Sequence, residues 1–230
     1  MLVSAKIIIV FKPAILTSRR VQLDLVLLKW IRQTILYICC HSIEALMILF
    51  LIGFMGSGKS FYAKGLSGLL QIPCVDLDQF IEERQAMSIS EIFESKGEAA
   101  FRALESVAIK EVHADLLART AETPDKNNIL GIISCGGGTP CYNDNMEWMN
   151  KHGLTIWVNP DEAVILERLK KEKKTRPLVA SIPEEKLKLF IHQKMSERIP
   201  YYERAQIAIS NSHISLEDFV KTIQHAKNLF

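Results

Sequence analysis

A glycine-rich segment that ends in lysine and serine carries the strongest chemical signal in this sequence. Residues 53–60 read Gly-Phe-Met-Gly-Ser-Gly-Lys-Ser and match the pattern G-x-x-x-x-G-K-[ST]. In such a loop the backbone N–H groups point inward around an anion, and the positive end of the following helix adds to the attraction. Lys59 would contact the β- and γ-phosphates of a nucleoside triphosphate, and the Ser60 hydroxyl would ligate Mg²⁺. The alternative is a glycine-rich turn that only starts a helix.

Two aspartates follow a short apolar run and supply the carboxylates that a phosphate-transfer site needs. Asp76 and Asp78 come directly after residues 72–75, at the edge where open α/β sheets bind their ligands. We expect separate roles, with Asp76 holding a metal-bound water beside Ser60 and Asp78 reaching the hydroxyl group of an acceptor. The alternative is that one of the two simply caps the next helix with its side chain.

Two arginines and a run of three glycines are candidates for the acceptor side of the site. Glu105 follows Arg102 by three positions in a helical stretch, so it can fix the guanidinium from the same helix face. Taken alone, such a pair is typical of a solvated surface, and the same holds for Arg198. The glycines at 136–138 directly follow an apolar run, which indicates that something approaches their bare backbone closely.

The composition is that of an ordinary globular chain and excludes several classes of protein. Of the 230 residues, 48% are hydrophobic and 23% are charged, which excludes disordered, collagen-like and rod-shaped coiled-coil chains. The formal net charge is only +2, so we expect no nucleic-acid partner. The five cysteines include no C-x-x-C pair, so neither a disulfide framework nor a zinc cage is indicated, and we expect a reducing cytoplasmic location.

The first 46 residues differ from the rest of the chain. They contain no glycine and carry a net charge of +4, which leaves −2 for residues 47–230. Charged side chains interrupt the apolar runs before any reaches the roughly 18 residues that a bilayer span requires, so no membrane partner is expected. We interpret residues 1–46 as an N-terminal extension of uncertain structure. The alternative is a misassigned start, with Met47 as the true beginning.

From Met47 onward, short apolar runs alternate with helical patterns, which predicts one α/β domain over residues 47–230. The predicted strands form a five-stranded parallel sheet and lie at 48–52, 72–75, 129–134, 154–158 and 207–209. The predicted helices lie at 59–70, 79–85, 90–94, 98–117, 144–151, 161–170, 184–198 and 216–229. A lysine-rich run that ends in Arg176-Pro177 predicts an irregular insert between two of these helices.

Taken together, these motifs make residues 47–230 resemble the shikimate kinases, small P-loop kinases of the nucleoside monophosphate kinase type. The matching segments occur in order along this whole part of the chain: the loop 53–60, Asp76-Leu77-Asp78, Ser90-Glu91-Ile92-Phe93, Gly97-Glu98, Phe101-Arg102 with Glu105, the triple glycine, Arg176-Pro177-Leu178 and Arg198-x-Pro-x-Tyr202. The resemblance implies a three-layer P-loop kinase fold whose central five-stranded parallel sheet is flanked by helices, with a mobile lid at about 171–183. It also implies transfer of the ATP γ-phosphate to the 3-hydroxyl of shikimate, a step toward chorismate and the aromatic amino acids.

The resemblance implies a role for each candidate residue. Shikimate would be bound by Asp78, Arg102, Gly136, Gly137, Gly138 and Arg198. ATP would be bound by Gly56, Ser57, Gly58, Lys59, Ser60, Phe61 and Arg176, and Mg²⁺ by Ser60 and Asp76. Lys59, Asp78 and Arg176 would be catalytic, with Arg176 delivered when the lid closes. We expect a cytoplasmic monomer.

Two departures from the family pattern concern the nucleotide. Phe61 stands where the family commonly has threonine, which removes a hydroxyl near the α-phosphate, and residues 211–213 offer only His213 where relatives often place a basic residue beside the adenine. Two alternative functions remain. Another small-acceptor kinase, such as a gluconate kinase, would not require Phe101-Arg102, the three glycines and Arg198 together. A catalytically silent nucleotide-binding regulator would not need every catalytic position, and all are present here.

Overall fold

The structure is a computed structural model that describes residues 47–120, 128–172, 179 and 182–227 of the 230-residue chain. The predicted N-terminal extension, Arg176 and most of the predicted lid lie outside the described residues. Of the lid segment, Lys171, Glu172, Val179, Ile182 and Pro183 are described, and Val179 is buried in the core. The boundary at Met47, as a limit between an extension and a domain, stays a prediction.

The described chain contains a five-stranded parallel sheet, as the sequence predicts. Its strands are β1 (Met47–Ile52), β2 (Cys74–Asp76), β3 (Ile129–Ser134), β4 (Leu154–Val158) and β5 (Ile207–Ile209). They pair in the order β2-β3-β1-β4-β5, and every neighbouring pair is parallel. Strand β2 begins at Cys74, two residues later than predicted, because Pro73 has no N–H to donate to a strand ladder.

The described helices are α1 (Lys59–Leu70), α2 (Leu77–Gln85), α3 (Ile89–Thr120), α4 (Asn145–His152), α5 (Glu162–Lys171), α6 (Glu184–Tyr202) and α7 (Leu216–Lys227). Helix α3 spans two predicted helices, which a non-helical residue, Gly97, separates at φ 80° and ψ 169°. Helix α2 starts two residues earlier than predicted. Helix α6 continues four residues further, through Pro200 in its last turn.

Strand β1 shows how the sheet divides the core into two layers. Its alternate residues Ile48, Phe50 and Ile52 pack with α2 to α6, and Leu49 and Leu51 pack on the other face with α1 and α7. Both faces are covered, so the strand is apolar along its whole length rather than alternating with polar residues. Among the described residues, no helix has the length and apolarity that crossing a bilayer requires.

The parallel arrangement places three of the predicted motifs at one edge of the sheet. The loop 53–60 follows β1, Asp76 ends β2, and the glycines at 136–138 follow β3 after one intervening residue. Since these strands are neighbours and run in the same direction, their carboxyl ends meet. This edge is where ligands bind in open α/β sheets, at the point where the strand order reverses.

Candidate active site

The glycine-rich loop wraps around its own lysine. Gly58, directly before α1, has φ 100°, and Gly56 has φ 76°, a left-handed conformation that glycine adopts without strain. The Lys59 ammonium is almost fully buried and donates hydrogen bonds of 2.9 Å to the carbonyls of Gly53 and Phe54. Ser57 Oγ is buried and makes no hydrogen bond within the described chain. The positive φ angles and the two lysine hydrogen bonds together define the turn that leads into α1.

Arg168 supports the same loop from a distant part of the chain. Its Nη1 donates to the carbonyls of Gly56 at 3.1 Å and Ser57 at 3.0 Å. These bonds hold the outer turn of the loop against α5. The sequence analysis did not identify Arg168, because a basic residue in the last turn of a helix is common.

Asp76 joins the loop to helix α2 through both of its carboxylate oxygens. Oδ2 accepts a 2.9 Å hydrogen bond from the Ser60 hydroxyl. Oδ1 accepts from the backbone N–H groups of Asp78 and Gln79, at 3.2 and 3.4 Å, and so caps α2. Of the two aspartates, Asp76 is thus the helix cap, and it also lies beside Ser60 as predicted.

Asp78 lies in the first turn of α2, separated from Asp76 because the chain has already left the strand at Leu77. Residues two apart in a continuing strand would share a face, so this turn is what gives the two carboxylates different surroundings. Burial, together with the charges of Glu105 and Asp76, raises the pKa of Asp78 to about 6 against the opposing effect of Lys59 and Arg102. Asp78 therefore releases its proton close to neutral pH.

Arg102 is held by carboxylates at its edges and aromatic rings around it. Its Nη1 donates to Glu105 Oε2 at 2.6 Å, and Nε and Nη2 both donate to Glu98 Oε1, at 3.2 and 2.9 Å. The rings of Phe93, Phe101 and Tyr142 lie 4.6–5.9 Å from its Cζ atom. Burial lowers the pKa of Arg102, but Glu105 and Glu98 outweigh this and raise it, so the charge is permanent.

Each of the three glycines makes room for a different charged group. A Cβ atom on Gly136 would lie 2.7 Å from both Asp78 Oδ1 and Glu105 Oε1, and one on Gly138 would lie 2.6 Å from Arg102 Nη1. A Cβ atom on Gly137 would lie 3.2 Å from Arg198 Nη1. The close approach predicted for this backbone is confirmed, and its physical reason is the convergence of these side chains.

Arg198 reaches the site from helix α6. Its guanidinium lies 5.5 Å from the ring centroid of Phe54, in the phosphate loop. Four residues further on, the Tyr202 hydroxyl donates a 2.5 Å hydrogen bond to the Gly137 carbonyl. Burial raises the pKa of Tyr202, so the hydroxyl remains a donor. The end of α6 is thereby tied to the three glycines, and Arg198 faces them.

A cleft of about 700 Å³ is lined by the phosphate loop, Asp76, Asp78 and Gly137, whereas Arg102 and Arg198 are not among its lining residues. Its lining also includes Ser212, His213 and Phe61, whose side chain is exposed. Both positions at which the sequence departs from the family pattern, Phe61 and His213, therefore line this cleft.

The structure brings together every predicted site residue that it describes, and Arg176 lies outside the described part. It also adds groups that the sequence analysis assigned no role: Arg168 behind the loop, Tyr142 over Arg102, and Thr139, whose hydroxyl donates to Glu105 Oε1 at 2.5 Å. Glu98 was placed within a family motif but given no role, and here it binds Arg102. Of these contacts, only the one between Glu98 and Arg102 could have been expected from the sequence, because the two residues are four positions apart in one helix.

Known proteins are similar to this chain in sequence and in structure. Residues 55–227 match the family model described as shikimate kinase. A shikimate kinase of Bacteroides fragilis is 40% identical over 157 residues, which cover 68% of this chain and 80% of the relative. The crystal structure of a shikimate kinase from Bacteroides thetaiotaomicron, 34% identical, superposes with a TM-score of 0.67 over 79% of this chain and 98% of that one. A shikimate kinase from Acinetobacter baumannii, in complex with shikimate, is 25% identical with a TM-score of 0.64 and covers 80% and 94%. This chain therefore belongs to the shikimate kinase family.

Proposed function

We propose that the cleft transfers the γ-phosphate of ATP to the 3-hydroxyl of shikimate, with the phosphate loop on the donor side and Asp78, Arg102 and Arg198 on the acceptor side. The observation that carries this assignment is the position of Gly137. A Cβ atom there would lie 3.2 Å from Arg198 Nη1, 3.4 Å from the Met55 nitrogen and 3.6 Å from the Gly53 carbonyl oxygen. The phosphate loop and the acceptor-binding groups thus meet at one point.

On the donor side, the loop and the first turn of α1 offer N–H groups and a helix N-terminus to the phosphates. Lys59 supplies a positive charge at the base of the loop, where it neutralises charge on the β- and γ-phosphates. Phosphoryl transfer needs little covalent chemistry from the protein, so positioning and charge neutralisation account for most of the catalysis.

The residues beside the loop fit a magnesium ion. Ser60 and Asp76 offer a hydroxyl and a carboxylate 2.9 Å apart, and Mg²⁺ prefers such hard oxygen ligands while keeping several waters and the substrate phosphates. Within the described ranges no group of three or more His, Cys, Asp and Glu side chains could hold a metal by itself, which agrees with a site completed by phosphate. When bound, the ion would neutralise charge that develops on the phosphate oxygens.

On the acceptor side, Arg102 and Arg198 bind the single carboxylate of shikimate. Three of the five N–H groups of Arg102 are used by Glu98 and Glu105. One N–H on each terminal nitrogen remains for a ligand, which suits a carboxylate bound by two parallel hydrogen bonds. The backbone of the three glycines and the Asp78 carboxylate are left to recognise the ring hydroxyls.

Asp78 receives the proton in this scheme. As the 3-hydroxyl oxygen attacks the γ-phosphorus, the bond from phosphorus to the ADP oxygen breaks, and the hydroxyl proton passes to the Asp78 carboxylate. A pKa of about 6 is higher than that of an ordinary aspartate, which makes Asp78 a better proton acceptor while leaving it mostly ionised at pH 7.5.

A coupled assay of ADP release tests this function. The full chain is assayed with ATP and Mg²⁺ in the presence of shikimate, gluconate or no acceptor, and the position of the new phosphate is read by NMR. We expect turnover with shikimate only and a phosphate at the 3-hydroxyl. Turnover with gluconate instead would support the other small-acceptor kinase, and release that does not depend on any acceptor would contradict both.

Three further features stay predictions: the monomeric state, the cytoplasmic location and the absence of membrane or nucleic-acid partners. Sedimentation of the purified chain, with and without nucleotide, tests the first of them. A mass near 26.1 kDa is expected for a monomer.

A further inference from the structure

We propose that Tyr142 is a positioning residue for the acceptor carboxylate and acts through Arg102, by covering one face of the guanidinium and fixing its plane. The inference rests on the proposed function, in which Arg102 binds the carboxylate of the acceptor. No residue of the phosphate loop takes part in it.

The contacts around Arg102 single out Tyr142. Its ring centroid lies 4.6 Å from Arg102 Cζ, closer than those of Phe101 at 5.2 Å and Phe93 at 5.9 Å. Tyr142 is 40% exposed, whereas Arg102 is 9% exposed. The tyrosine ring is therefore the outer wall of this aromatic enclosure, and the guanidinium lies behind it, shielded from solvent.

The hydroxyl group of Tyr142 adds a second contact to the same assembly. It donates to Glu98 Oε1 at 3.3 Å, the oxygen that also accepts from Nε and Nη2 of Arg102. Glu98 is itself an anion beside the predicted carboxylate site. The Tyr142 hydroxyl holds the Glu98 carboxylate at the Nε side of the guanidinium. One N–H on each terminal nitrogen of Arg102 thereby stays open to the acceptor.

The backbone around Tyr142 ties it to the helix that carries Arg102. Asn143 Nδ2 donates to the Arg102 carbonyl at 2.9 Å, and the Asn145 N–H donates to the Tyr142 carbonyl at 3.0 Å. Asn143 and Asp144 both adopt the left-handed conformation, at φ 51° and 53°, so the turn that presents Tyr142 is sharply defined. The turn that carries Tyr142 is thus hydrogen-bonded to α3, the helix that carries Arg102.

The expected consequence is electrostatic. An aromatic face attracts a guanidinium, and this attraction strengthens when water is excluded. An ion pair between the guanidinium and a bound carboxylate is also stronger beside a ring than beside water, because the local dielectric constant is lower. Removing the ring should therefore weaken acceptor binding without affecting the nucleotide or the transfer step.

The test compares Tyr142→Ala, Tyr142→Leu and Tyr142→Phe with the full wild-type chain. Tyr142→Ala should raise the KM for shikimate by about 5- to 10-fold, with kcat and the KM for ATP changed less than twofold. Tyr142→Leu, which keeps apolar cover without an aromatic face, should change the KM in the same direction. Tyr142→Phe keeps the ring and should stay within twofold of wild type. Tyr201→Ala, at another exposed tyrosine, is the matched control and should leave both KM values unchanged.

A double-mutant cycle with Arg102→Ala separates this inference from the proposed function. If Tyr142 acts through Arg102, adding Tyr142→Ala to Arg102→Ala should lower kcat/KM for shikimate less than twofold further. A further loss as large as in the wild-type background would overturn the inference, as would an unchanged KM in Tyr142→Ala or an equal loss in Tyr142→Phe. If Arg102→Ala itself left the KM for shikimate unchanged, the assignment of Arg102 to the acceptor would fail instead.

Discussion

Arg102 donates a hydrogen bond of 2.6 Å to the carboxylate of Glu105, one turn further along α3, and the Glu105 side chain is only 1% exposed. The other oxygen of Glu105 accepts from the buried Thr139 hydroxyl. The same charge raises the pKa of Asp78. One buried carboxylate therefore both orients the acceptor-binding arginine and adjusts the proposed proton acceptor.

Replacing Glu105 with glutamine should destabilise the protein by about 3 kcal/mol, because it leaves a buried guanidinium with one charged partner fewer. Urea unfolding measures the change. Glu111→Gln is the matched control, since Glu111 lies on the same helix and pairs with Arg84 at the surface, where an ion pair contributes at most about 1 kcal/mol. Equal losses in the two variants would contradict a special role for the buried pair.

Asp78 should govern activity on the acid side of neutrality. With a pKa of about 6 in the free enzyme, kcat/KM for shikimate should fall as pH drops through this value and the carboxylate takes up a proton. In Glu105→Gln the fall should move to lower pH, because a charge that raises the pKa is gone. Asp78→Asn should lower kcat by about 10²-fold or more and remove this limb of the profile. A kcat near wild type would show that the carboxylate accepts no proton.

The same carboxylate should cost the folded protein stability at neutral pH. The folded-state pKa of Asp78 lies above its ordinary value of 3.8, so the folded state binds the proton more tightly than the unfolded state does. The cost is absent below pH 3.8, develops as pH rises through the interval to about 6, and is complete above it. Asp78→Asn should therefore be more stable than wild type by about 3 kcal/mol at pH 7.5, and the difference should shrink to about 0.5 kcal/mol near pH 4. Thermal unfolding at the two pH values measures this; an unchanged difference would contradict the shift.

The arginine variants should fall into two groups, according to whether they raise the KM for shikimate or the KM for ATP. Arg102→Ala and Arg198→Ala each remove a charged hydrogen bond worth about 1.5 to 3 kcal/mol, so the KM for shikimate should rise by about 10- to 150-fold with a much smaller change for ATP. Arg168→Ala is the counterpart, because Arg168 holds two carbonyls of the phosphate loop and should affect ATP more than shikimate. Steady-state kinetics with each substrate varied in turn gives the split. An equal rise in the KM for both substrates in Arg102→Ala would contradict the assignment of Arg102 to the acceptor site.

A methyl group at position 138 should disturb Arg102 directly. The backbone at Gly138 has φ −97°, which alanine adopts easily, but its Cβ would lie 2.6 to 2.8 Å from three atoms of the guanidinium. Gly138→Ala should thus raise the KM for shikimate at least tenfold, by an order-of-magnitude estimate from the lost hydrogen bonds. Gly68→Ala is the control, since nothing lies within 4 Å of its Cβ position in α1, and it should stabilise the protein by about 0.5 to 1 kcal/mol. An unchanged KM in Gly138→Ala would mean that Arg102 can move aside without loss.

Local sequence patterns were enough to predict the sheet, the phosphate loop and the family. Three strands match their predicted ranges, because their short, mostly apolar runs are visible in the chain. The loop conformation also follows from local sequence, since Gly56 and Gly58 supply the positive φ angles that its turn requires. The boundaries of α2 and α6 were missed because they depend on a side-chain cap at Asp76 and on packing that extends the helix through Pro200.

The groups that surround the proposed reacting centre become visible only in the folded chain. Arg168 meets the loop from more than a hundred positions away, and the ring of Tyr142 covers Arg102 across forty residues of chain. The raised pKa of Asp78 likewise needs its burial together with Glu105 from another helix. Desolvation and charge interactions act through space and depend on distances of a few ångströms, whereas sequence patterns record neighbours along the chain, so these relationships arise only when the chain folds.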